Sequence, residues 1–230
     1  MEHPIFFITK LFEAIGLGHF AHAYPHVTNT WLIMLILIVI SLLAVKSMKM
    51  VPAGGQNFFE MVISGIENFQ VDTMGEHGRV FFPIIATLGI FIFISNALGL
   101  IPGFYSPTAS INTTLACALI VFCTTHIIGI KTHGFKYIKQ FLGSIWWMTP
   151  LMLPIEIISH LSRVLSLTLR LFGNIMGEDL VLAILLFLAG KFFAPAVIMM
   201  FIALFTSFIQ AFVFVLLSMM YFSAAMEEAH

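Results

Sequence analysis

An arginine stands in the middle of the longest apolar stretch of this chain. Residues 165–174 read LSLTLRLFGN, and Arg170 is the only charged residue among them. Charged side chains at membrane depth are costly, and they commonly mark ion or proton pathways. Arginine does not give up its proton in a protein, so it can hold a nearby carboxylate ionised and block passing protons. Carboxyl and amide groups around Arg170 would then relay the proton.

The polar residues around Arg170 fall on one side of the predicted helix. At about 100° per residue they occupy a wedge of roughly 80°. We call this set the polar stripe: Glu156, Ser159, Arg163, Ser166, Arg170, Asn174 and Gly177. Its small residues would let another helix approach closely. The alternative is a seam between the chain's own helices, with Glu156 and Arg163 paired, and for Ser159, Ser166 and Gly177 taken singly this reading is equally open.

Arg170 has no obvious counter-charge in its own chain. Glu178 lies about 80° away around the helix and Asp179 on the opposite side. The last apolar segment offers only uncharged polar groups, Thr206, Ser207, Gln210 and Ser218. We therefore expect the counter-charge to be a carboxylate on a different subunit.

The composition places these residues in a membrane protein. Of 230 residues, 60% are hydrophobic and only 9% are charged, and the mean hydropathy is +1.04. Soluble domains carry about 25% charged residues, so this chain cannot cover a water-facing surface. A net charge of -1 without a basic cluster gives no indication of a nucleic-acid partner. Cys117 and Cys123 have no metal-ligand spacing and are interpreted as core residues.

Five apolar segments predict an all-α, polytopic fold. They cover residues 31–45, 81–101, 110–130, 150–189 and 192–224. Interfacial helices are expected after Pro52 and Gly54 and within 131–147. Residues 150–189 would form a helix of about 60 Å, against a hydrocarbon core of about 30 Å. We therefore expect a long, steeply tilted C-terminal hairpin, although the sequence does not distinguish a slant from a break.

The whole chain is interpreted as a single membrane domain, residues 1–230. It comprises an outer N-terminal segment (1–30), peripheral helices (31–145) and the tilted hairpin (146–230). If each segment crosses once, six basic residues fall on one side against Lys10 and Lys191 on the other. By the positive-inside rule the N-terminus is outside and the C-terminus cytoplasmic. The six are Lys46, Lys49, Arg79, Lys131, Lys136 and Lys139.

Several motifs resemble one family, the a subunits of F-type ATP synthases. LSLTLRLFGN followed by GEDL, and FIQAFVFVLLSMMYFS on the last helix, are similar to its two signature helices. NALGLIPGF, PTASINTTLACAL and VPAGGQNFFE match its earlier spans and cytoplasmic hairpin. The resemblance covers nearly the whole chain. It implies a non-catalytic, proton-conducting stator of the membrane-bound Fo sector, without a cofactor, in the bacterial inner membrane beside a c-subunit ring and the b-subunit peripheral stalk.

The resemblance also implies roles for individual residues. Arg170 stands where the family arginine faces the ring carboxylate, with Asn174 and Gln210 at the polar positions beside it. Asp179, with Glu178, stands at the outer half-channel, where Ala203 replaces a frequent partner group. The remaining residues of the proton path belong to the cytoplasmic half-channel: Glu156, Ser159, His160, Arg163 and Ser166.

This resemblance implies a cycle in which protons enter near Asp179 and neutralise a ring carboxylate. The neutral group can face lipid, and after nearly a full turn it releases its proton near Glu156. The alternative function is a stand-alone secondary transporter or ion channel with a polar intramembrane stripe. That class predicts inverted repeats or broken helices at corresponding positions, which the sequence does not show.

Overall fold

The described part of the chain is entirely helical apart from short connections. A computed structural model describes residues 16, 18–46, 55–101, 104–134, 137, 149–189 and 194–227. Within these ranges there are two 3-10 turns, Glu76–Phe81 and Pro107–Ala109. The α-helices are α1 (Gly18–Ala23), α2 (Pro25–Lys46), α3 (Gly55–Met74), α4 (Phe82–Gly99), α5 (Ile111–His133), α6 (Thr149–Ala189) and α7 (Ala194–Met226).

Five of these helices are long and apolar enough to cross a membrane. The candidate spans are Pro25–Lys46, Glu76–Gly99, Ile111–His133, Pro150–Leu185 and Val197–Met226. Each contains most of one apolar segment, so the predicted all-α polytopic fold is confirmed. The first span begins six residues before the apolar run, and the side chains of Thr28 and Asn29 both donate to the Pro25 carbonyl at its start.

The last two spans are continuous helices. α6 has 41 residues and α7 has 33, which correspond to about 60 and 50 Å. α6 passes through Pro154 without interruption, and the two helices pack against each other. Continuity favours a slant over a break as the way to fit such lengths into a bilayer. The connection that we predicted from Gly190 lies outside the described residues.

α4, α5, α6 and α7 enclose the apolar core. Ile92, Val121, Leu171, Phe214 and Phe222 are among its most deeply buried side chains. α4 and α7 approach closely at Gly89, where an added Cβ would lie 2.6 Å from Val215 Cγ2. Cys117 lies in this core, but Cys123 is exposed, so the interpretation of both cysteines as core residues was wrong for Cys123.

α3 is the amphipathic helix predicted after Pro52 and Gly54. It is tied to the chain that follows by a hydrogen bond from the buried Gln70 amide to the Gly78 carbonyl. Phe69 packs on Phe212 of α7, with 5.0 Å between ring centroids. The second predicted surface segment, 131–147, lies mostly outside the described residues, as do Pro52 and Gly54.

The two ends of the bundle differ in chemistry. One end, here the Lys131 end, brings together His77, Lys131 and Met226 around a shallow cavity. The opposite end, here the Ser106 end, holds the 3-10 turn Pro107–Ala109, which contacts α2, α4, α5 and α6. Glu156 and Glu178 lie toward the Lys131 and Ser106 ends of α6, respectively, with Arg170 between them.

Candidate functional site

The polar stripe runs along α6 beside the face that packs into the core. Val164, Leu167, Thr168, Leu171 and Ile175 are buried, and their spacing of three or four residues is that of one helix face. The stripe borders this face. Ser166, Arg170, Asn174 and Gly177 are exposed, whereas Glu156, Ser159 and Arg163 are half-buried. The stripe is therefore left largely uncovered by its own chain.

Arg170 is exposed and has no acidic partner in the described part of the chain. No carboxylate there lies within 4.0 Å of its guanidinium, whereas Arg79 and His160 both have such partners. In an apolar stretch of 18 residues within the α6 span only 17% of the residues are buried, against 44% in such a stretch of the α5 span. α2 is equally uncovered, but the exposed residues of its span are almost all apolar. An uncovered helix that carries an arginine at membrane depth needs a polar partner, and the expected carboxylate on a different subunit stays a prediction.

Asn174 and Gln210 meet across the contact between α6 and α7. The Asn174 amide Nδ2 donates a hydrogen bond of 2.6 Å to Gln210 Oε1. Gln210 is only 3% exposed, while Asn174 lies one helical turn from Arg170 on the exposed side. The structure thus brings together two predicted site residues that are 36 positions apart in sequence.

Toward the Lys131 end, Glu156 pairs with His160. Nε2 of His160 lies 3.2 Å from Oε1 of Glu156, one helical turn away. Arg163 instead lies over the ring of Tyr221, with Cζ 5.5 Å from the ring centroid. The Glu156–Arg163 pair considered from the sequence is wrong, because no such contact within 4.0 Å occurs between these two described residues and the histidine is the nearer neighbour of Glu156.

Ser159 and Ser166 play different parts in the stripe. The Ser159 carbonyl accepts a hydrogen bond from Ser162 Oγ at 2.7 Å. Ser166 is exposed, as is Gly177, so these small residues leave the stripe surface open near Arg170. Such a surface allows another helix to approach the arginine closely.

Toward the Ser106 end, Glu178 and Asp179 have different surroundings. Glu178 is half-buried and lies near Thr206 of α7, whose hydroxyl donates to the Ile202 carbonyl of its own helix. Its Oε1 is buried without a partner among the described residues. Asp179 is exposed, and its negative charge acts on Tyr105. Burial first, and then this charge, raise the pKa of Tyr105 above its ordinary value.

A buried polar network at the Ser106 end was not among the predicted site residues. Ser106 Oγ donates to the Ser95 carbonyl at 3.1 Å, and Thr108 Oγ1 donates to Asn96 Oδ1 at 2.5 Å. Ser95 Oγ, Asn96 Nδ2 and Ser207 Oγ are buried without partners in the described ranges. The signal in the sequence was the pair of polar clusters at the end of α4 and in the following loop. Their meeting depends on tertiary packing.

The described residues contain no group of three or more His, Cys, Asp or Glu side chains that could hold a metal ion. The polar groups that the structure places along the stripe are suited to proton transfer and charge pairing. Its donors and acceptors lie along a single helix and its neighbours.

Comparison with known proteins gives one answer. The family model described as ATP synthase A chain matches residues 27–223. The chain is similar to ATP synthase subunit a of Syntrophobacter fumaroxidans, 59% identical over 241 residues, and to that of Desulfosudis oleivorans, 59% identical over 230 residues. It is also similar to ATP synthase subunit a of Geobacter sulfurreducens, 54% identical over 231 residues. In all three comparisons both chains are covered over their full length.

Proposed function

This chain belongs to the family of ATP synthase subunit a, the proton-conducting stator of the Fo sector, and we propose that its polar stripe carries the proton in two half-paths separated by Arg170. It is a multi-pass membrane protein of a bacterial ATP synthase and a non-catalytic subunit. Family membership excludes the alternative of a stand-alone transporter or channel. The proposal concerns the residues, partners and orientation.

Arg170 acts as the fixed positive charge between the half-paths. The observation that carries the proposal is its exposure on α6 without a carboxylate partner in the described chain. The partner is an ionised carboxylate on the passing c-subunit ring. Arginine cannot release its proton, so it holds this carboxylate ionised without letting the proton move directly from one half-path to the other.

The attraction between Arg170 and the ring must stay modest for the ring to turn. A dry ion pair at about 4 Å has a Coulomb energy approaching 20 kcal/mol as an upper bound. One elementary charge moving through 100 mV gains only about 2.3 kcal/mol. We therefore propose that water lies between the guanidinium and the ring carboxylate, which weakens the pair enough to let it separate.

Asn174 and Gln210 keep the surface near Arg170 in place. Their hydrogen bond of 2.6 Å joins α6 to α7 within one turn of the arginine. Because Gln210 is buried, its amide is held by the core while Asn174 reaches the exposed side. The pair therefore fixes where Arg170 emerges relative to the ring.

The half-path toward the Lys131 end serves proton exit. Glu156 lies 14 residues before Arg170, about 21 Å along the helix, with His160 and Arg163 beside it. Ser159 and Ser166 continue the stripe between Glu156 and Arg170. By the positive-inside rule the Lys131 end is cytoplasmic and the N-terminus is outside.

The half-path toward the Ser106 end serves proton entry. Glu178 lies eight residues after Arg170, about 12 Å along the helix. Its unpartnered Oε1 and the orphaned polar atoms of Ser95, Asn96 and Ser207 are suited to contacts with water. Ala203 offers no titratable group, so Glu178 and Asp179 together supply the carboxyl groups of this half-path.

The partners follow from the same surface. The exposed face of α6 and α7 meets the c-subunit ring. The apolar surface of α2 contacts lipid, and the b subunits of the peripheral stalk hold the subunit against rotation. Nothing in the charge or composition of the chain indicates a nucleic-acid partner.

The test is Arg170→Ala in the complete ATP synthase in proteoliposomes. Proton-driven ATP synthesis should be lost while the ring still co-purifies with the variant subunit. The matched control is Arg79→Ala, because Arg79 is an exposed arginine away from the stripe whose acidic partners among the described residues are Glu67 and Glu76. Surface pairs contribute about 0–1 kcal/mol, so this control should retain synthesis. Synthesis retained by Arg170→Ala would refute the proposal.

A further inference from the structure

A series of side chains that can exchange protons extends from the polar stripe into the space between α5 and α6. His160 contacts Glu156 on one side, at 3.2 Å. On its other side it faces His126 of α5, with 5.0 Å between ring centroids. Nδ1 of His126 then lies 2.7 Å from the hydroxyl of Tyr137, just beyond the end of α5. The order Glu156, His160, His126, Tyr137 therefore runs from the stripe to the Lys131 end.

Tyr137 is held in position by the shape of α5. Its ring rests on Gly129, where an added Cβ would overlap the ring, and the residue is only 8% exposed. Burial raises the pKa of Tyr137, and the opposing charges of Arg163 and Glu156 act on it more weakly. The phenol therefore stays neutral near pH 7, where a hydroxyl can accept one proton and release another without storing charge.

The charges around the two imidazoles come from α6. His160 interacts electrostatically with Arg163 and Glu156, and His126 interacts in the same way with His160 and Arg163. Arg163 itself is held over Tyr221 of α7 and cannot exchange its proton. The groups that can exchange protons in this cluster, among the described residues, are thus Glu156, the two histidines and the tyrosines.

We propose that His126 and Tyr137 form a second branch of the proton exit, which receives protons from Glu156 through His160. This inference rests on the proposed role of Glu156 in the exit half-path. The branch would run through the protein interior between α5 and α6, whereas the stripe faces the ring. His126 and Tyr137 would then be proton-relay residues of this subunit.

Each step of the relay moves one proton. The Glu156 carboxyl releases a proton to Nε2 of His160 and becomes a carboxylate. His160 passes a proton from its other nitrogen to His126 across the gap between the rings, by ring rotation or through one water molecule. His126 passes its Nδ1 proton to the Tyr137 oxygen, which releases its own hydroxyl proton toward the Lys131 end. One proton enters and one leaves, and tautomer exchange resets both rings.

A purely structural role is the competing explanation. The hydrogen bond between His126 and Tyr137 could simply fasten the segment after α5 to the helix. Such a fastening would need neither His160 beside His126 nor Glu156 beside His160, yet all four groups form a consecutive series. The two explanations differ in whether a small diffusible proton carrier can replace the histidine.

The experiment measures proton conduction through Fo in liposomes, after removal of the F1 sector from the assembled enzyme, under an imposed potassium diffusion potential. His126→Gln and Tyr137→Phe should each lower the rate about tenfold. A positioned proton-transfer group can contribute about 100-fold or more, but the ring-facing path stays open. His133→Gln is the matched control, because it is the same change on the same helix and the His133 side chain has no hydrogen bond or ion pair with the described residues.

Restoring conduction with imidazole distinguishes a proton relay through His126 from a purely structural hydrogen bond. Imidazole in the buffer should restore conduction in His126→Ala and leave Tyr137→Phe unchanged. Gly129→Ala, which displaces the Tyr137 ring without removing a titratable group, should lower conduction as Tyr137→Phe does. Parental conduction in His126→Gln would overturn the inference, and so would a loss that imidazole does not reverse.

The same preparation separates this inference from the proposed function. If Glu156→Gln blocks conduction while His126→Gln does not, only the side branch is wrong. If Glu156→Gln conducts like the parent and Arg170→Ala retains proton-driven ATP synthesis in the complete enzyme, the two half-paths themselves are wrong, and the inference fails with them.

Discussion

The hydrogen bond between Asn174 and Gln210 allows a quantitative prediction about the contact between α6 and α7. The Asn174 amide donates to Gln210 Oε1 at 2.6 Å. The two side chains differ in burial, since Gln210 is 3% exposed and Asn174 lies on the exposed side of α6. Removing the Asn174 amide and removing the Gln210 amide should therefore lower the free energy of unfolding by different amounts.

The magnitudes follow from which group is left without a partner. In Asn174→Leu the buried Gln210 oxygen loses its donor, which costs about 1–3 kcal/mol. In Gln210→Leu the remaining Asn174 amide lies on the exposed side of α6, where it can turn toward other polar groups of the stripe. The loss is then nearer the net value of one hydrogen bond, about 0.5–1.5 kcal/mol. The double variant leaves no orphaned amide, so its loss should be smaller than the sum of the two.

The assay is a double-mutant cycle. The free energy of unfolding is measured by titrating the purified subunit with sodium dodecyl sulfate in bicelles, for the parent, both single variants and the double variant. Thr124→Val is a control, because the hydroxyl of this half-buried residue bonds only to the Ile120 carbonyl of its own helix among the described groups. It should change the free energy little.

The order of the two losses is the sharp test. If Gln210→Leu proves more costly than Asn174→Leu, the buried amide is not the group that depends on this bond. Strict additivity in the double variant would show that the two side chains do not interact. Either result would refute the assignment of Asn174 and Gln210 as a coupled pair beside Arg170.

Three further predictions concern other parts of the chain. Glu178→Gln should lower proton-driven ATP synthesis more than Asp179→Asn does, because Glu178 is half-buried with an unpartnered oxygen while Asp179 is exposed; the reverse order in proteoliposomes would contradict this. Gly89→Ala should reduce the free energy of unfolding by about 1–3 kcal/mol through overpacking against Val215, and an unchanged titration midpoint would show that the contact between α4 and α7 is looser than described. Tyr105→Phe should leave the pH profile of proton conduction unchanged from about pH 6 to 9. Burial, and then the charge of Asp179, raise the pKa of Tyr105, so its neutral form persists throughout that window. A shifted profile would contradict this.

Much of the fold could be predicted from composition and hydropathy. Five apolar segments predicted five spans because a helix in a bilayer must bond all its backbone groups internally and present apolar side chains. The angular position of the stripe on α6 also followed from helical periodicity. The sequence did not indicate which apolar face of α6 packs into the core, since Leu and Ile residues suit both a core and a lipid surface.

Only part of the site could be predicted from the sequence. Asn174 and Gln210 were related through resemblance to a family, because no local pattern connects residues 36 positions apart. The predicted pairing of Glu156 with Arg163 was wrong. His160 and Arg163 both lie along the same helix, but Arg163 stacks on Tyr221, which leaves His160 as the partner of Glu156. The contact of His126 with Tyr137 depends on the space above Gly129, which only the packed structure reveals.

In the proposed mechanism Arg170, a permanent cation on α6, meets a carboxylate of the moving c-subunit ring. The most direct measurement is a density map of the assembled Fo sector in lipid nanodiscs, resolved into its rotary states. In at least one state a ring carboxylate should face Arg170 with water between them. A guanidinium bonded entirely by groups of its own chain in every state, or an ion pair that is direct and dehydrated in all of them, would contradict the proposed role of Arg170.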